Sequence, residues 1–268
     1  MNKTALLGLL VALALPIFGY LIVKNVGADA VVMPRHFIYD SVISKTENGK
    51  LVEDTIWHKI PDFSFTNQLG KQVSLSDLDE KIIVASFFFT HCPTICPRMT
   101  TNMKELQNGI TNAERVGKRK ANFVHFLSFS VDPERDSVPR LKAWADRFQI
   151  DPLNWWLLTG DKKQIYDLSI EDMKVLAIDG KGVDTSFIHT DRFVLIDRNR
   201  NIRGYYHGLD TSSLQQLSRD IILLHLEKDR KRKPLFNGQM DLILIVSLIT
   251  LLGIGLLLYL TKRNKKVA

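Results

Sequence analysis

Lys81-Ile-Ile-Val-Ala-Ser-Phe-Phe-Phe89 runs straight into Thr90-His-Cys92-Pro-Thr-Ile-Cys96-Pro97, and this junction decides how the chain is read. The first part is a continuous apolar run whose length and β-branched and aromatic content predict a strand buried on both faces. The second part holds the only two cysteines in 268 residues, four positions apart. It ends on Pro97, a residue suited to the first turn of a helix. A buried strand, a reactive turn and a helix are therefore expected in that order. Two thiols confined to one turn admit a disulfide, a soft metal ion, or each at different times. The plain alternative is a pair of buried sulfurs acting as small hydrophobes. Thr90, His91, Pro93 and Pro97 argue against it, because they make a poor interior strand.

Working outward, Asp62-Phe-Ser-Phe65, a turn through Thr66–Lys71 and Val73 predict a short hairpin. The helix expected to open at Pro97 carries Met99, Met103, Leu106 and Ile110 at helical spacing. Phe123–Val131 reads as a second buried strand, closed by the turn Asp132-Pro-Glu-Arg-Asp136. A helix with Leu141, Trp144, Ala145 and Phe148 on one side follows, then a short strand at Trp155–Leu158 and a helix from Lys162 to Leu168. Arg192–Asp197 and Ile202–Tyr206 predict two more strands, and Thr211–Leu226 a closing amphipathic helix. Strands alternating with helices, then a hairpin and a last helix, give an α/β domain with a central mixed sheet covered on both faces. Val31–Asp54 is polar and without periodicity, and reads as a lead-in. No internal repeat or low-complexity segment is present.

The ends of the chain have a different character. Ala5–Val23 and Leu242–Leu260 are uncharged apolar runs of 19 residues each, about the length that crosses a bilayer core. The first is read as an uncleaved anchor, with a signal peptide cleaved near Ala28-Asp-Ala30 as the alternative. Two spans place both termini on one side, and the Lys262–Lys266 cluster makes that side cytoplasmic. The expected organisation is an anchor and linker over 1–30, a lead-in over 31–56, and one soluble domain over 57–227. A basic linker over 228–240, a membrane helix over 241–261 and a basic tail over 262–268 complete it. The domain then faces a periplasm-like space from the inner membrane, where a thiol pair can be oxidised. The net charge of +7 owes much to the basic flanks, so nucleic-acid binding is not expected.

If the thiols hold a metal, Cu(I) suits two soft sulfurs and a low coordination number. A structural zinc site needs four ligands, and no further cysteine exists to supply them. A third donor must come from elsewhere, and seven histidines are available. His125 reads as a hydrogen-bonded core residue, His225 as a surface residue, and His36 and His58 precede the domain. His91 adjoins Cys92 but neighbours along a chain point in different directions, and His207 is an ordinary strand-end residue. His189 follows a Gly- and Asp-rich loop and directly precedes a strand, so it stands at an element's edge within reach of the cysteine turn.

These motifs together resemble the Sco/SenC family. The likeness rests on the Cys92–Cys96 turn, Ser130-Val-Asp-Pro-Glu-Arg-Asp136, Trp156-Leu-Leu-Thr-Gly160, His189 ahead of Leu195-Ile-Asp197, and Arg203-Gly-Tyr-Tyr-His-Gly208. They occur in the family's order from about Pro61 to Leu226. The resemblance implies a thioredoxin-like three-layer fold and a Cu(I) or Cu(II) site made by Cys92, Cys96 and His189. It also implies a role toward the dicopper centre of cytochrome c oxidase, as a copper donor or as a reductant of thiols there. Two features set this chain apart from the family's pattern. Ile188 precedes His189 where many members have Asp, and a second membrane span follows the domain.

The leading expectation is a membrane-tethered copper chaperone whose partner is the copper-bearing oxidase subunit. Its site is expected to be shallow, with the helix after Pro97 favouring the thiolate of Cys96 and with Asp132 beside it. The second is a thiol-disulfide oxidoreductase in which a more exposed Cys92 attacks and Cys96 resolves. A third, a peroxidase, rests on a faint likeness of Phe89-Thr-His-Cys-Pro-Thr94 to the peroxiredoxin turn. The copper donor cannot be read from the residues.

Overall fold

The run Ile82–Phe88 lies in the sheet as expected, with all seven of its residues buried, and the rest of the domain is arranged around it. A computed structural model describes residues 32–47, 50–115, 123–175 and 190–227, with single positions 18 and 253. In chain order these form β1 (Tyr39–Glu47), β2 (Lys50–Trp57), β3 (Ser64–Asn67), β4 (Gln72–Ser74), β5 (Ile82–Phe88) and α1 (Ile95–Arg115). There follow β6 (Val124–Ser130), α2 (Val138–Arg147), β7 (Trp155–Thr159), α3 (Lys162–Asp167), β8 (Arg192–Ile196), β9 (Ile202–His207) and α4 (Thr211–Leu226). A π-helical turn, Leu168–Asp172, prolongs α3. The two apolar runs read as membrane spans lie outside the described residues, apart from those single positions, as do the basic linker and tail. Among the described residues no helix is long and apolar enough to cross a membrane.

Seven strands pair in the order β4-β3-β7-β6-β5-β8-β9. The centre, β5 with β6 and β6 with β7, is parallel, and the flanking pairs are antiparallel. Every residue of β6 is buried too, which is why both central strands read as continuous apolar runs instead of alternating. Phe87 stacks on Phe129 across the central pair, with ring centroids 5.4 Å apart. The hydroxyls buried there are satisfied: Ser86 and Ser128 lie 2.9 Å apart, and Trp155 Nε1 donates to Ser128 at 3.0 Å.

Helices α1, α2 and α4 share one face of the sheet, where Met103 reaches Ser128, Trp144 packs on Phe88 and Asp220 accepts from Tyr206. Side chains alternate along a strand, so Tyr205 turns to the opposite face and donates to the Met173 carbonyl beyond α3. A mixed sheet between helical layers is the predicted architecture.

Two elements differ from expectation. The stretch read as a lead-in contains a separate two-stranded hairpin, β1 with β2, in register from Tyr39↔Trp57 to Glu47↔Lys50. Asn48-Gly49 is the dipeptide that favours two-residue hairpins. The hairpin escaped the periodicity test because most of it is exposed on both faces, so nothing imposes alternation. The second difference is that α1 starts at Ile95, ahead of Pro97. Proline is tolerated there because first-turn N–H groups have no intrahelical partner to lose.

Because β8 runs antiparallel to β5, Asp197 lies at the end of the sheet opposite the cysteine turn. There Arg203, only 3% exposed, meets Asp197 Oδ2 at 3.0 Å and Glu227 Oε2 at 2.7 Å. Its Nε and Nη2 also donate to the Pro34 carbonyl at 3.1 and 2.6 Å. One buried guanidinium thus ties together the two ends of the compact unit Met33–Glu227. Removing it leaves carboxylates without their cation, a loss of about 3–5 kcal/mol. Arg203→Met is therefore expected to lower the denaturation midpoint of that unit sharply, and Arg203→Lys to lower it less but clearly, since a point charge cannot fill the fork. Denaturant titration checks this, and an unchanged midpoint in Arg203→Met contradicts it.

Candidate metal centre

The cysteine turn stands at the carboxyl ends of the parallel strands, the usual place for sites in such sheets. Val131 N–H donates to the Phe88 carbonyl at 2.9 Å as the last link between β5 and β6, and the chain then leaves the sheet. Cys92 N–H closes the turn by donating to the Phe89 carbonyl at 3.3 Å. The turn is gripped from the other strand by Asp136, a carboxylate with 0% exposure. It accepts from Thr90 N–H at 3.0 Å, from the Thr90 hydroxyl, and from the Ser130 hydroxyl at 2.6 Å. Three donors satisfy the hydrogen-bonding capacity of this buried carboxylate without a cation beside it. The Asp136 N–H donates to the Asp132 carbonyl at 2.9 Å, which closes the loop from its own side.

Both cysteines are free and buried, Cys92 at 4% and Cys96 at 3% exposure. The site is less shallow than expected, because both sulfurs are packed within the core cluster, and Cys92 is the more exposed of the two only marginally. What separates them is the helix start. Cys92 precedes α1, and the Cys96 N–H points at its sulfur with an N to Sγ distance of 3.5 Å. Burial pushes the Cys92 thiol up, but the N–H groups of Cys96, Thr94 and Ile95 outweigh it and hold the thiol below its ordinary value. Cys96 lies inside the first turn, where burial pushes its thiol up to about 12 against a Phe89 N–H that lowers it, with Cys92 and Asp136 adding to the rise. The helix end was expected to favour the thiolate of Cys96. It favours Cys92, because α1 begins two residues earlier than the proline implied.

Asp132 is where the sequence placed it, at the mouth of the turn, and is 3% exposed. Its Oδ2 lies 3.3 Å from His91 Nε2, which is itself 3.2 Å from Arg135 Nη1. His91 is therefore engaged with the Asp132 loop and packs its ring on Phe89 at 4.8 Å. His189 lies outside the described residues, and among those described no group of three His, Cys, Asp or Glu could hold a metal. The chain that follows His189 is nevertheless placed. Asp191 accepts from Gly208 N–H at 2.6 Å, and a Cβ built on Gly208 would lie 3.0 Å from Met99 Cε, three positions beyond Cys96. Residues 190 and 191 thus return to the sheet at the cysteine end, beside α1.

The other histidines are used elsewhere. His125 is 2% exposed, and burial with nearby Lys81 pushes its imidazole down to about 3. It is a core residue as expected, but its Nε2 has no hydrogen-bond partner among the described residues. His36 stacks on Trp57, His58 pairs with Asp40 at 2.7 Å, His207 with Asp191 at 3.2 Å, and His225 lies 3.0 Å from Arg198. Asp136, Thr90 and Ser130 were missed as a group. Thr90 and Asp136 are 46 positions apart, and no local pattern announces such a contact.

Two thiols of opposite character, fixed side by side at a strand end, fit a soft metal ion and equally fit a disulfide. Comparison with known proteins gives the family. The SCO1/SenC family model matches residues 55–222. The SCO1 protein homolog of Bacillus subtilis (strain 168) is 32% identical over 174 residues, 65% of this chain and 86% of its own. A SCO1/SenC family lipoprotein from Bacillus anthracis superposes with a TM-score of 0.53 at 37% identity, over 63% of this chain and 95% of its own. BsSco, a Sco-family cytochrome c oxidase assembly protein in which a disulfide switch has been identified, gives 0.52 at 30% identity, over 65% and 98%. With more than half of its length matched by the family model, the chain belongs to the SCO1/SenC family.

Proposed function

We propose that this protein is a copper-binding assembly factor of the SCO1/SenC type, tethered to the inner membrane, that delivers copper to the dicopper centre of cytochrome c oxidase. The observation that carries the reading is the pair itself: two free thiols held by one rigid turn, with backbone N–H groups favouring thiolate at Cys92. Thiolate is the form that binds a soft ion. His189 is the proposed third ligand, supported by the position of Thr190 and Asp191 beside α1. Copper is cargo here, so the chain's task is to hold it and release it. The two apolar runs at the chain ends support the tether. The basic cluster Lys262–Lys266 beside the second run supports cytoplasmic tails and a domain on the periplasmic side. Tethering confines donor and acceptor to one surface and raises their effective concentration.

A thiol-disulfide exchange role is the second reading, favoured by the unequal thiols. The Cys92 thiolate would attack a partner disulfide, and the released partner sulfur would take up a proton. Cys96 would then give up its proton and displace the partner's second thiol, leaving a Cys92–Cys96 disulfide and a reduced partner. His189 takes no part in that sequence.

Copper titration of the Met33–Glu227 unit under reducing conditions tests the first reading. Cys92→Ala, Cys96→Ala and His189→Ala are each expected to weaken binding by at least about 100-fold, beyond what loss of an outer contact costs. Unchanged affinity in any of them removes that residue from the site. His189→Ala is further expected to leave disulfide exchange largely intact, and equal loss of both activities would contradict separable roles. In the reduced, metal-free protein, iodoacetamide is expected to label Cys92 first. Its thiol is held low, so its rate should rise and level off at lower pH than for an ordinary cysteine, about 8.5. Mass mapping across a pH series checks this, and labelling of Cys96 first would contradict it.

A further inference from the structure

Along the outer side of α1 runs a groove of about 730 Å³ that begins at Pro97 and Arg98, next to Cys96. The end of α2, with Arg147 and Phe148, forms one wall, and the first half of α4, with Leu214, forms the other. Phe148, Leu214 and Leu106 pack on the core but are only partly buried, so the floor keeps apolar surface open to solvent. Gly109 widens the groove, since a Cβ built there would meet nothing within 4 Å. Two guanidinium groups, Arg98 and Arg147, face it against one carboxylate, Glu105. Among the described residues none of the three is in a salt bridge, and Arg147 rests over the rings of Trp144 and Phe148 at 5.9 and 5.2 Å.

We propose that this groove seats an extended, acidic segment of the partner protein, one that flanks the partner's own thiols and guides them to the Cys92–Cys96 turn. An apolar floor below guanidinium groups suits a strand of alternating apolar and acidic side chains. Complementary charge of this kind sets the encounter rate and rejects wrong partners. Continuity with Cys96 identifies the bound segment as the one next to the exchanging residues. The proposal rests on exchange at this pair, as metal or as disulfide, with a thiol-bearing protein.

The test uses the full chain in detergent micelles, reduced and free of metal. Two short peptides of equal length, one alternating Leu with Glu and one Leu with Lys, each carry a terminal cysteine activated as its 2-pyridyl disulfide. The Cys92 thiolate attacks the peptide sulfur and a peptide–Cys92 disulfide forms. The pyridine-2-thiolate leaves with the electron pair and takes up a proton, and its absorbance gives the rate. The acidic peptide is expected to react at least about ten-fold faster than the basic one. Arg98→Glu with Arg147→Glu is expected to abolish or reverse that preference, while Lys45→Glu on the hairpin leaves it unchanged. Gly109→Leu is expected to slow the acidic peptide but not the small reagent 2,2′-dithiodipyridine. Equal peptide rates in the unaltered chain, or a preference that survives the arginine reversals, overturns the proposal. So does an equal effect of Lys45→Glu. No metal takes part, so a chain that keeps the preference but fails copper titration retains the groove and loses copper delivery, and the converse result separates them the other way.

Discussion

The site depends on one buried carboxylate. Asp136 joins Thr90, two residues ahead of Cys92, to Ser130, the last residue of the neighbouring strand. Without that grip, the chain leaving β5 would lose the contacts of Thr90 and keep the Phe89 carbonyl with Cys92 N–H and the pairing of His91 with Asp132. The carboxylate is satisfied by three donors, which is the condition under which a charge can be buried without a counter-ion. The same negative charge lies close enough to Cys96 to help keep that sulfur protonated. One residue that is itself wholly buried therefore holds the turn and adds a small push to the Cys96 thiol.

The start of α1 divides the labour between the sulfurs. A helix presents unpaired N–H groups over its first turn, and Cys92 sits where they converge while Cys96 sits among the residues that supply them. Burial raises both thiols, Cys96 the more, and only at Cys92 do the N–H groups outweigh it. Their difference is what allows one turn to serve both readings: one thiol more ready than usual to ionise, and a partner that holds its proton more tightly. The Arg203 cluster lies at the other end of the sheet, so what ties the ends of the domain together is separated from the chemistry by the length of β5.

Much of this was legible in the residues. The central strands were plain because parallel strands buried on both faces leave continuous apolar runs, and Thr211–Leu226 showed its helical spacing without interruption. The cysteine turn announced itself because no other cysteine exists in the chain. The hairpin β1–β2 was not legible by periodicity, since solvent on both of its faces selects no pattern. The helix start was misplaced by two residues because Pro97 is tolerated anywhere in a first turn, and that shift moved the favoured thiolate from Cys96 to Cys92. Asp136 was hidden for a different reason. Its partners lie across the sheet, and only the fold brings them together.

The central claim is that Cys92, Cys96 and His189 together hold copper. X-ray absorption at the copper edge of the loaded, reduced protein tests it most directly, because it counts the atoms around the ion and tells sulfur from imidazole nitrogen. Two sulfurs and one imidazole are predicted, with the imidazole signature lost in His189→Ala. A shell with fewer than two sulfurs, or an imidazole that persists in that variant, would contradict the claim.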